Sequence, residues 1–333
     1  MRVCLALAVL AVAAHAAAAE RRPGLVPWPA EIAFGTGEMA IGPDFRLTIA
    51  GQADPRVQRA ARRFEARLAR QAGLLPPLGP GQPRLEVRCD GPARTALPAL
   101  GMDESYALEV TPAKATLTAA EPWGILRGLE TFLQLVGPGS EGLRVPAVMI
   151  HDRPRFPWRG LLIDCGRHFM PLQVLARNLD GMAAVKLNVL HWHLTEDQGF
   201  RVESRRFPKL HGQGSDGLYY TQEQIRGVIA YAADRGIRVV PEFDMPGHTT
   251  AWFVGHPELA SAPGPYTIER KWGIFEPVMD PTREEVYRLL DGFLGEMAAL
   301  FPDPFLHIGG DEVEGKPWEA SAQIQAFKKE KGF

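Results

Sequence analysis

The chain has 333 residues, of which 46% are hydrophobic, 23% charged and 9% aromatic. These proportions are those of an ordinary globular protein, and they exclude an intrinsically disordered chain and a collagen-like fibre. The 37 basic and 39 acidic residues give a formal net charge of −2, without the basic excess that binding to nucleic-acid phosphates requires. We therefore expect one large or two medium-sized domains and no nucleic-acid partner.

Residues 1–19 predict a signal peptide for export. Arg2 is followed by an apolar run, and the segment ends in alanines at small-x-small spacing, which is typical of a signal cleavage site. The run is too short for a membrane span, and Cys4 lies too early to carry a lipid anchor. We expect a periplasmic or extracellular protein without a stable membrane anchor.

Removal of residues 1–19 leaves two cysteines, Cys89 and Cys165. We place them in interior strands of different domains, where two isolated buried thiols are expected rather than a disulfide. Two cysteines are also too few for a zinc cluster.

Residues 20–150 predict a small α+β domain. Apolar residues at helical spacing predict helices over 55–71 and 123–135. Period-two alternation predicts strands over 84–89, 106–110 and 115–119.

Residues 151–333 predict a different, α/β architecture. Strands and helices alternate four times: strands over 160–164, 187–191, 237–243 and 305–308, and helices over 171–182, 221–235, 280–300 and 321–331. Asp280 and Pro281 suit the N-cap and the first position of the third helix. Near-continuous apolar strands predict a parallel sheet buried on both faces, and the glycine fingerprints of nucleotide-binding folds are missing from the sequence.

Polar residues follow every one of these strands, and they are Asp164, His191 and His193, Glu242 and Asp244, and Asp311 and Glu312. Polar side chains at the carboxyl ends of parallel strands are the layout of a (β/α)8 TIM-barrel active site. About four βα units are present, so we expect a truncated barrel with unpaired strand edges.

The pair Asp311 and Glu312 is the strongest catalytic candidate. A regular strand would point adjacent side chains to opposite faces, but the preceding Gly309-Gly310 allows a sharp path that aims both carboxylates into one cleft. Asp244 and His248 form a carboxylate–histidine pair that can tune a nearby acid.

A metal site is an alternative use of the same residue types. His191 and His193 alternate on one strand end, and with His248 and Asp311 they could bind a divalent ion and make a metal-dependent hydrolase. A purely structural role for these histidines is the other possibility.

Four motifs together resemble glycoside hydrolase family 20, the β-N-acetylhexosaminidases. Residues 158–171 are similar to the first barrel strand of that family, residues 186–200 to the second, and residues 242–248 to the third. Residues 307–313, His-Ile-Gly-Gly-Asp-Glu-Val, resemble the catalytic signature. The preceding module resembles the family's small N-terminal domain, so the resemblance covers about residues 25–333.

The resemblance implies a retaining, substrate-assisted mechanism without cofactor or metal. In it, the 2-acetamido oxygen of the sugar attacks the anomeric carbon and forms an oxazolinium-type intermediate. Glu312 is then the general acid and later the base, and Asp311 holds the acetamido N–H. The implied substrates are glycans with terminal β-linked N-acetylglucosamine or N-acetylgalactosamine.

The resemblance also assigns roles around the acid pair. Arg167 is expected to grip sugar hydroxyls, and Glu196, which stands where many relatives have Asp, and His248 are expected at the substrate. Asp244 is expected to orient His248, and His307 to support the site from behind.

The same resemblance provides a second alternative. The family's later strands carry aromatic pocket walls, a tyrosine for the acetamido group and an acid for the hydroxyls, and the sequence contains none of these. An inactive truncated fragment with at most sugar binding is therefore the rival hypothesis.

Overall fold

A computed structural model describes residues 24–51, 54–73, 83–139, 142–276 and 278–333, and the predicted signal peptide lies outside them. The N-terminal part has seven strands and two helices among these residues: β1 Glu31–Ile41, β2 Arg46–Ala50, α1 Pro55–Gln71, β3 Pro83–Cys89, β4 Tyr106–Val110, β5 Ala115–Ala119, α2 Pro122–Leu135, β6 Gly137–Gly139 and β7 Gly142–Asp152.

These strands form one mixed sheet in the order β1-β7-β4-β5-β3-β2, with β6 added to β7. The three predicted strands and both predicted helices of this part are confirmed. The prediction missed β1, β2, β6 and β7. Neither β1 nor β7 has a plain alternating pattern, because β1 is largely exposed and β7 contains Pro146. The long antiparallel pair β1–β7 closes one edge of the sheet.

Helices α1 and α2 supply much of the N-terminal core. Asp54 caps α1 by accepting from the Arg56 N–H at 2.8 Å. The α1 stripe of Val57, Phe64 and Leu68 is at most 2% exposed, and Trp123 at the start of α2 is fully buried. The aromatic start of α2 is therefore a packing feature.

The C-terminal part alternates strands and helices: β8 Gly160–Asp164, α3 Leu172–Ala184, β9 Val189–Glu196, β10 Gly199–Phe200, α4 Pro208–Gly214, α5 Gln222–Ala233, β11 Arg238–Phe243, α6 Thr250–Gly255, a 3-10 turn Pro257–Leu259, α7 Glu284–Leu300, α8 Lys316–Ala320 and α9 Ala322–Lys331. Strands β8, β9 and β11 are parallel neighbours in that order. Along the described chain β8 pairs with β9 alone, so the sheet is an arc and closure into a barrel is not seen.

The prediction of a fourth strand over 305–308 is wrong. His307 makes a single bridge with Glu242, through His307 N–H to Pro241 O at 2.9 Å and Phe243 N–H to His307 O at 3.1 Å. The preceding ladder bond, to the Phe305 carbonyl, would need an N–H from residue 241, which is proline. Beyond His307 the chain turns away at Gly309, where φ is +72°.

The predicted start of the third helix is also wrong. Helix α7 begins at Glu284, four residues after Asp280. The Asp280 carboxylate instead accepts from Thr282 N–H (2.9 Å) and Thr282 Oγ1 (2.7 Å) and from Arg283. An aspartate that closes a local turn in this way competes with helix initiation.

Buried charges join the two parts of the molecule. Glu104, 3% exposed, accepts from Arg127 Nε at 2.6 Å, from Arg159 Nη2 at 2.5 Å and from Asn188 Nδ2 at 3.1 Å. One carboxylate on the N-terminal part thus fixes the start of β8 and the residue before β9.

Both cysteines of the described chain are free thiols, as predicted. Cys165 is buried but lies just after β8, and Cys89, in β3, is only half-buried. None of the helices in the described ranges is both long and apolar enough to cross a membrane.

Candidate active site

Strand register brings the polar strand ends together. Asp164 on β8 lies opposite His193 on β9, which in turn lies opposite Glu242 on β11. Trp192 and Phe243, adjacent to these positions, are fully buried in the hydrophobic core. Because side chains alternate along a strand, the polar residues share the opposite, inner face of the sheet.

Glu196, at the end of β9, is the centre of the cluster and is fully buried. Its Oε1 lies 3.0 Å from Arg167 Nη2 and 3.0 Å from His193 Nε2, and its Oε2 lies 3.1 Å from His248 Nδ1. Burial opposes the ionised form, but the contacts with His193 and His248 outweigh it and lower the pKa of Glu196 to about 2. Glu196 is therefore a carboxylate at neutral pH.

His193 joins Glu196 to a second buried carboxylate. Its Nδ1 lies 3.1 Å from Glu242 Oε2, and the contacts with Glu196 and Glu242 overcome burial and raise the pKa of His193 to about 10. Glu242 also meets His191 and His307, and despite burial these histidines, with His193, hold the pKa of Glu242 far below its usual range.

His248 connects the buried cluster to the acid pair. Its Nδ1 lies 3.2 Å from Asp197 Oδ2, and its Nε2 lies 3.4 Å from Glu312 Oε2. Asp197 and then Glu196 raise the pKa of His248 to about 10, so the ring is a charged group beside Glu312.

The expectation that Asp244 orients His248 is wrong. Asp197 does so, and the Asp197 carboxylate is itself fixed by the N–H (2.9 Å) and Oγ1 (2.7 Å) of Thr250. A histidine in a loop bonds to an acceptor that lies close in space. Here that acceptor is Asp197, just after β9, although Asp244 is closer along the chain.

Asp244 instead positions the backbone before the acid pair. Its Oδ1 accepts from the Gly310 N–H at 2.8 Å, and a Cβ at Gly309 would lie 1.7 Å from that oxygen, so only glycine fits there. Burial, and the nearby charge of Glu196, raise the pKa of Asp244 to about 6 against the opposing Gly310 bond.

The acid pair follows a tight backbone path, as expected from the two glycines. Gly309, Gly310 and Glu312 have φ values of +72°, +106° and +40°, and positive φ at a non-glycine residue is uncommon and costly. Oxygens of Asp311 and Glu312 and a ring nitrogen of His248 lie within 4.8 Å of one another. The two carboxylates thus converge beside a charged imidazole.

Arg167 lies on the other side of Glu196. Its N–H and Nη1 each donate to Asp164 at 2.9 Å, and its side chain remains 24% exposed. The Trp272 ring lies 5.9 Å from Arg167 Cζ and is 86% exposed. Trp192 and Phe200, the other aromatic residues near the motif, are core residues and do not line the site.

Sequence reasoning placed Asp164 and Glu242 at strand ends of the site but assigned them no partners, and it did not single out Asp197. The available signal was position alone, because each is an acid at the end of a strand whose neighbours also end in charged residues.

Histidine and carboxylate atoms also come close enough to hold an ion in several places, including His191 with Glu242 and His307 and, separately, His248 with Asp311 and Glu312. The same atoms contact one another directly as ion pairs. A metal-dependent reaction therefore stays a hypothesis for a chelation test.

Comparison with known proteins identifies the family of the chain. The pattern described as "Glycosyl hydrolase family 20, catalytic domain" matches residues 156–333, and "Glycosyl hydrolase family 20, domain 2" matches residues 22–153. The chain belongs to glycosyl hydrolase family 20. The resemblance noted in the sequence is thereby confirmed.

Several relatives give the extent of the match. The β-hexosaminidase subunit beta of Mus musculus is 46% identical over 252 residues, which are 75% of this chain and 46% of the relative. The Flavobacterium johnsoniae chitobiase superposes with a TM-score of 0.86 at 42% identity, covering 92% of this chain and 48% of that one. The Vibrio harveyi exo-β-N-acetylglucosaminidase in complex with N-acetylglucosamine gives 0.73 at 28% identity, covering 93% and 50%. The chain thus spans about half the length of these family members.

Proposed function

We propose that this protein is an exo-acting β-N-acetylhexosaminidase that removes terminal β-linked N-acetylglucosamine or N-acetylgalactosamine. The observation that carries the proposal is the convergence of Asp311 and Glu312 beside His248. Family membership supports it, since the related Vibrio enzyme is described in complex with N-acetylglucosamine.

The first half of the reaction breaks the glycosidic bond. Glu312 donates its proton to the leaving oxygen as general acid, while the acetamido carbonyl oxygen of the same sugar forms a bond to the anomeric carbon. The Asp311 carboxylate accepts from the acetamido N–H and stabilises the positive charge that develops on the ring formed. The charged His248 ring stabilises the carboxylate that Glu312 becomes.

The second half restores the acetamido group. The Glu312 carboxylate takes a proton from water, the water oxygen bonds to the anomeric carbon, and the carbon–oxygen bond of the intermediate breaks. Two displacements at one carbon give net retention of the β configuration. No covalent bond forms between the protein and the sugar.

The remaining residues bind and orient in this proposal. Arg167, fixed by Asp164, presents donors to sugar hydroxyls, since a guanidinium offers several N–H groups in a rigid fork. Glu196 holds Arg167 and His248 in position, and Asp244 maintains the Gly310 turn that aims the acid pair. His307 contacts Glu242 behind the site.

A sugar-binding protein without turnover is the second candidate. It is favoured by the exposure of Glu312, whose side chain is 48% exposed, because catalytic acids work best in water-excluded sites. Binding of N-acetylglucosamine without hydrolysis is the outcome that selects this candidate.

The test compares two nitrophenyl glycosides that differ only at C2. Hydrolysis of the β-N-acetylglucosaminide but not of the β-glucoside, with the β-anomer formed first in proton NMR spectra, is the predicted result. Equal hydrolysis of both would contradict acetamido participation. Loss of activity with a chelator would favour the metal-dependent hydrolase instead.

Export to the periplasm or medium remains part of the proposal, supported by the composition of residues 1–19. Fractionation of expressing cells tests it. Protein that stays in the cytosol and keeps the mass of the uncleaved chain would contradict export.

A further inference from the structure

A groove rich in arginine runs along the junction between α1 and the helices of the C-terminal part. Arg59, Arg63, Arg67 and Arg70 of α1 recur at intervals of four, four and three residues, which places them on one face of the helix. Their stripe is about 16 Å long at 1.5 Å per residue. We call this surface, with Arg235 on the opposite side, the arginine groove.

Two cavities make up the arginine groove, and neither is lined by a residue of the candidate active site. One has a volume of about 490 Å³ and the other of about 850 Å³, within the usual range for ligand sites. Arg63 and Arg235 line both cavities. The charged lining residues are Arg56, Arg59, Arg63, Arg67, Arg70, Arg127 and Arg235 with the acids Asp54, Glu130, Asp180 and Asp234.

The acids do not neutralise the arginines one for one. Asp234 is shared by Arg59, at 2.5 Å, and Arg63. Arg67 meets Glu130 at 2.6 Å, whereas Arg70 donates to the Ala66 carbonyl and contacts no carboxylate of the described chain. Three further arginines each have a carboxylate partner: Arg56 with Asp54, Arg127 with Glu104, and Arg235 with Asp180. Seven arginines of the groove thus meet five carboxylates, so positive charge is in excess here, although the whole protein has a net charge of −2.

Arg63 lines both cavities together with Arg235 and is partly buried. Burial, together with the charge of Arg235, lowers the pKa of Arg63 in spite of Asp234. A bound anion would compensate this repulsion, and guanidinium forks match the geometry of carboxylate and sulfate groups.

We propose that the arginine groove binds an acidic oligosaccharide, one whose sugars carry carboxylate or sulfate groups. An extended anionic chain fits a stripe of this length better than a single small ion. Nucleic acid is disfavoured because its bases need aromatic faces for stacking, and in the groove Arg235 Cζ covers the Tyr231 ring at 3.4 Å while Phe64 is 2% exposed.

Titration calorimetry with acidic tetrasaccharides that lack acetamido groups tests this site apart from the proposed catalytic function. A tetragalacturonide and a sulfated galactan tetrasaccharide represent the two anion types, and maltotetraose is the neutral counterpart. We expect binding of at least one acidic probe that weakens by about tenfold or more between about 50 and about 200 mM salt, as several released counterions require. Maltotetraose should not bind.

Variants locate the binding. Arg67→Gln with Arg70→Gln should weaken it by at least about tenfold, the effect of losing one charge-assisted contact. Glu130→Gln, which frees Arg67, should tighten it. Arg62→Gln is the matched control, because Arg62 is exposed on the same helix and lines neither cavity. Unfolding curves verify that all variants fold.

Four results would overturn the proposal. They are no binding at low salt, an equal loss with Arg62→Gln, equal binding of inorganic sulfate at the same anion concentration, and tighter binding of a single-stranded DNA oligonucleotide of equal charge. With no binding, the groove has only the structural role of joining the two parts.

Discussion

Glu196 is the side chain on which the electrostatics of the candidate site depend most. It is fully buried and contacts one arginine and two charged histidines. A buried carboxylate with such partners costs desolvation, which is offset only while the partners stay in place. Its removal leaves uncompensated positive charge.

We therefore predict that Glu196→Gln lowers the free energy of unfolding by about 3–5 kcal/mol, the usual cost of breaking a buried ion pair. It should also lower the pKa of His248 from about 10 towards the ordinary histidine range. Urea unfolding and histidine NMR titration measure the two effects. Glu196→Asp keeps the charge and should retain most of the stability and most of the raised pKa of His248. An unchanged His248 titration in Glu196→Gln would contradict the role of Glu196 as a charged partner of His248.

Asp244 makes the stability of the protein depend on pH, because its pKa is raised whereas that of Glu196 is lowered. Its pKa is raised from the ordinary 3.8 to about 6, so the folded state favours the protonated carboxyl. This contribution to stability is fully present below pH 3.8 and is lost as the pH rises through about 6.

We predict that Asp244→Asn stabilises the protein at pH 8 by about 2–3 kcal/mol, the value of a shift of about two pKa units. The Asn oxygen can still accept from Gly310. The gain should disappear near pH 3.5, and urea unfolding at both pH values measures it. Glu109→Gln, an exposed carboxylate elsewhere, is the control, and a gain that is equal at both pH values would exclude the pKa explanation.

At the scale of elements, the Pro241 carbonyl and the Gly309 turn determine how the acid pair is presented. Local apolar pattern predicted the strands β8, β9 and β11 and the helices α3 and α5, because those segments bury one or both faces. It did not predict the short helix α4 between β9 and β11. The segment 305–308 has the same apolar pattern, but it forms a single bridge at His307 and one further bond, from Met245 N–H to Ile308 O at 3.0 Å. The effect of Pro241, which has no N–H to offer this segment, can be recognised only when the register between the two segments is known.

The junction between the two parts depends on Glu104, which accepts from two arginines and one asparagine. We predict that Glu104→Gln lowers the free energy of unfolding by about 3–5 kcal/mol, because the buried guanidinium group of Arg127 and the partly buried one of Arg159 lose their counterion. Urea unfolding followed by tryptophan fluorescence measures it.

Glu86→Gln, on β3 of the N-terminal part, is the comparison for Glu104→Gln, since Glu86 pairs on the surface with Arg88. Such surface pairs contribute at most about 1 kcal/mol. A loss no greater for Glu104→Gln than for Glu86→Gln would mean that the junction does not need this carboxylate.

At the scale of the molecule, much of the arrangement follows from the sequence because strand ends in a parallel sheet meet at one edge. That rule alone predicts that Asp164, His193 and Glu242 lie side by side. It does not assign partners within the cluster, since the choice between Asp197 and Asp244 for His248 depends on loop geometry around Thr250. The missed strands β1 and β7 likewise pair with each other across a long stretch of intervening chain.

The central claim is that Glu312 is the acid and base of glycoside cleavage. Release of nitrophenol from nitrophenyl β-N-acetylglucosaminide by the protein and by its Glu312→Gln variant tests it most directly, with thermal unfolding to show that both are folded. We predict release by the protein and a loss in the variant of at least about a hundredfold, the contribution typical of general acid–base catalysis. Equal release by the two proteins, or none from the folded parent protein, would contradict it.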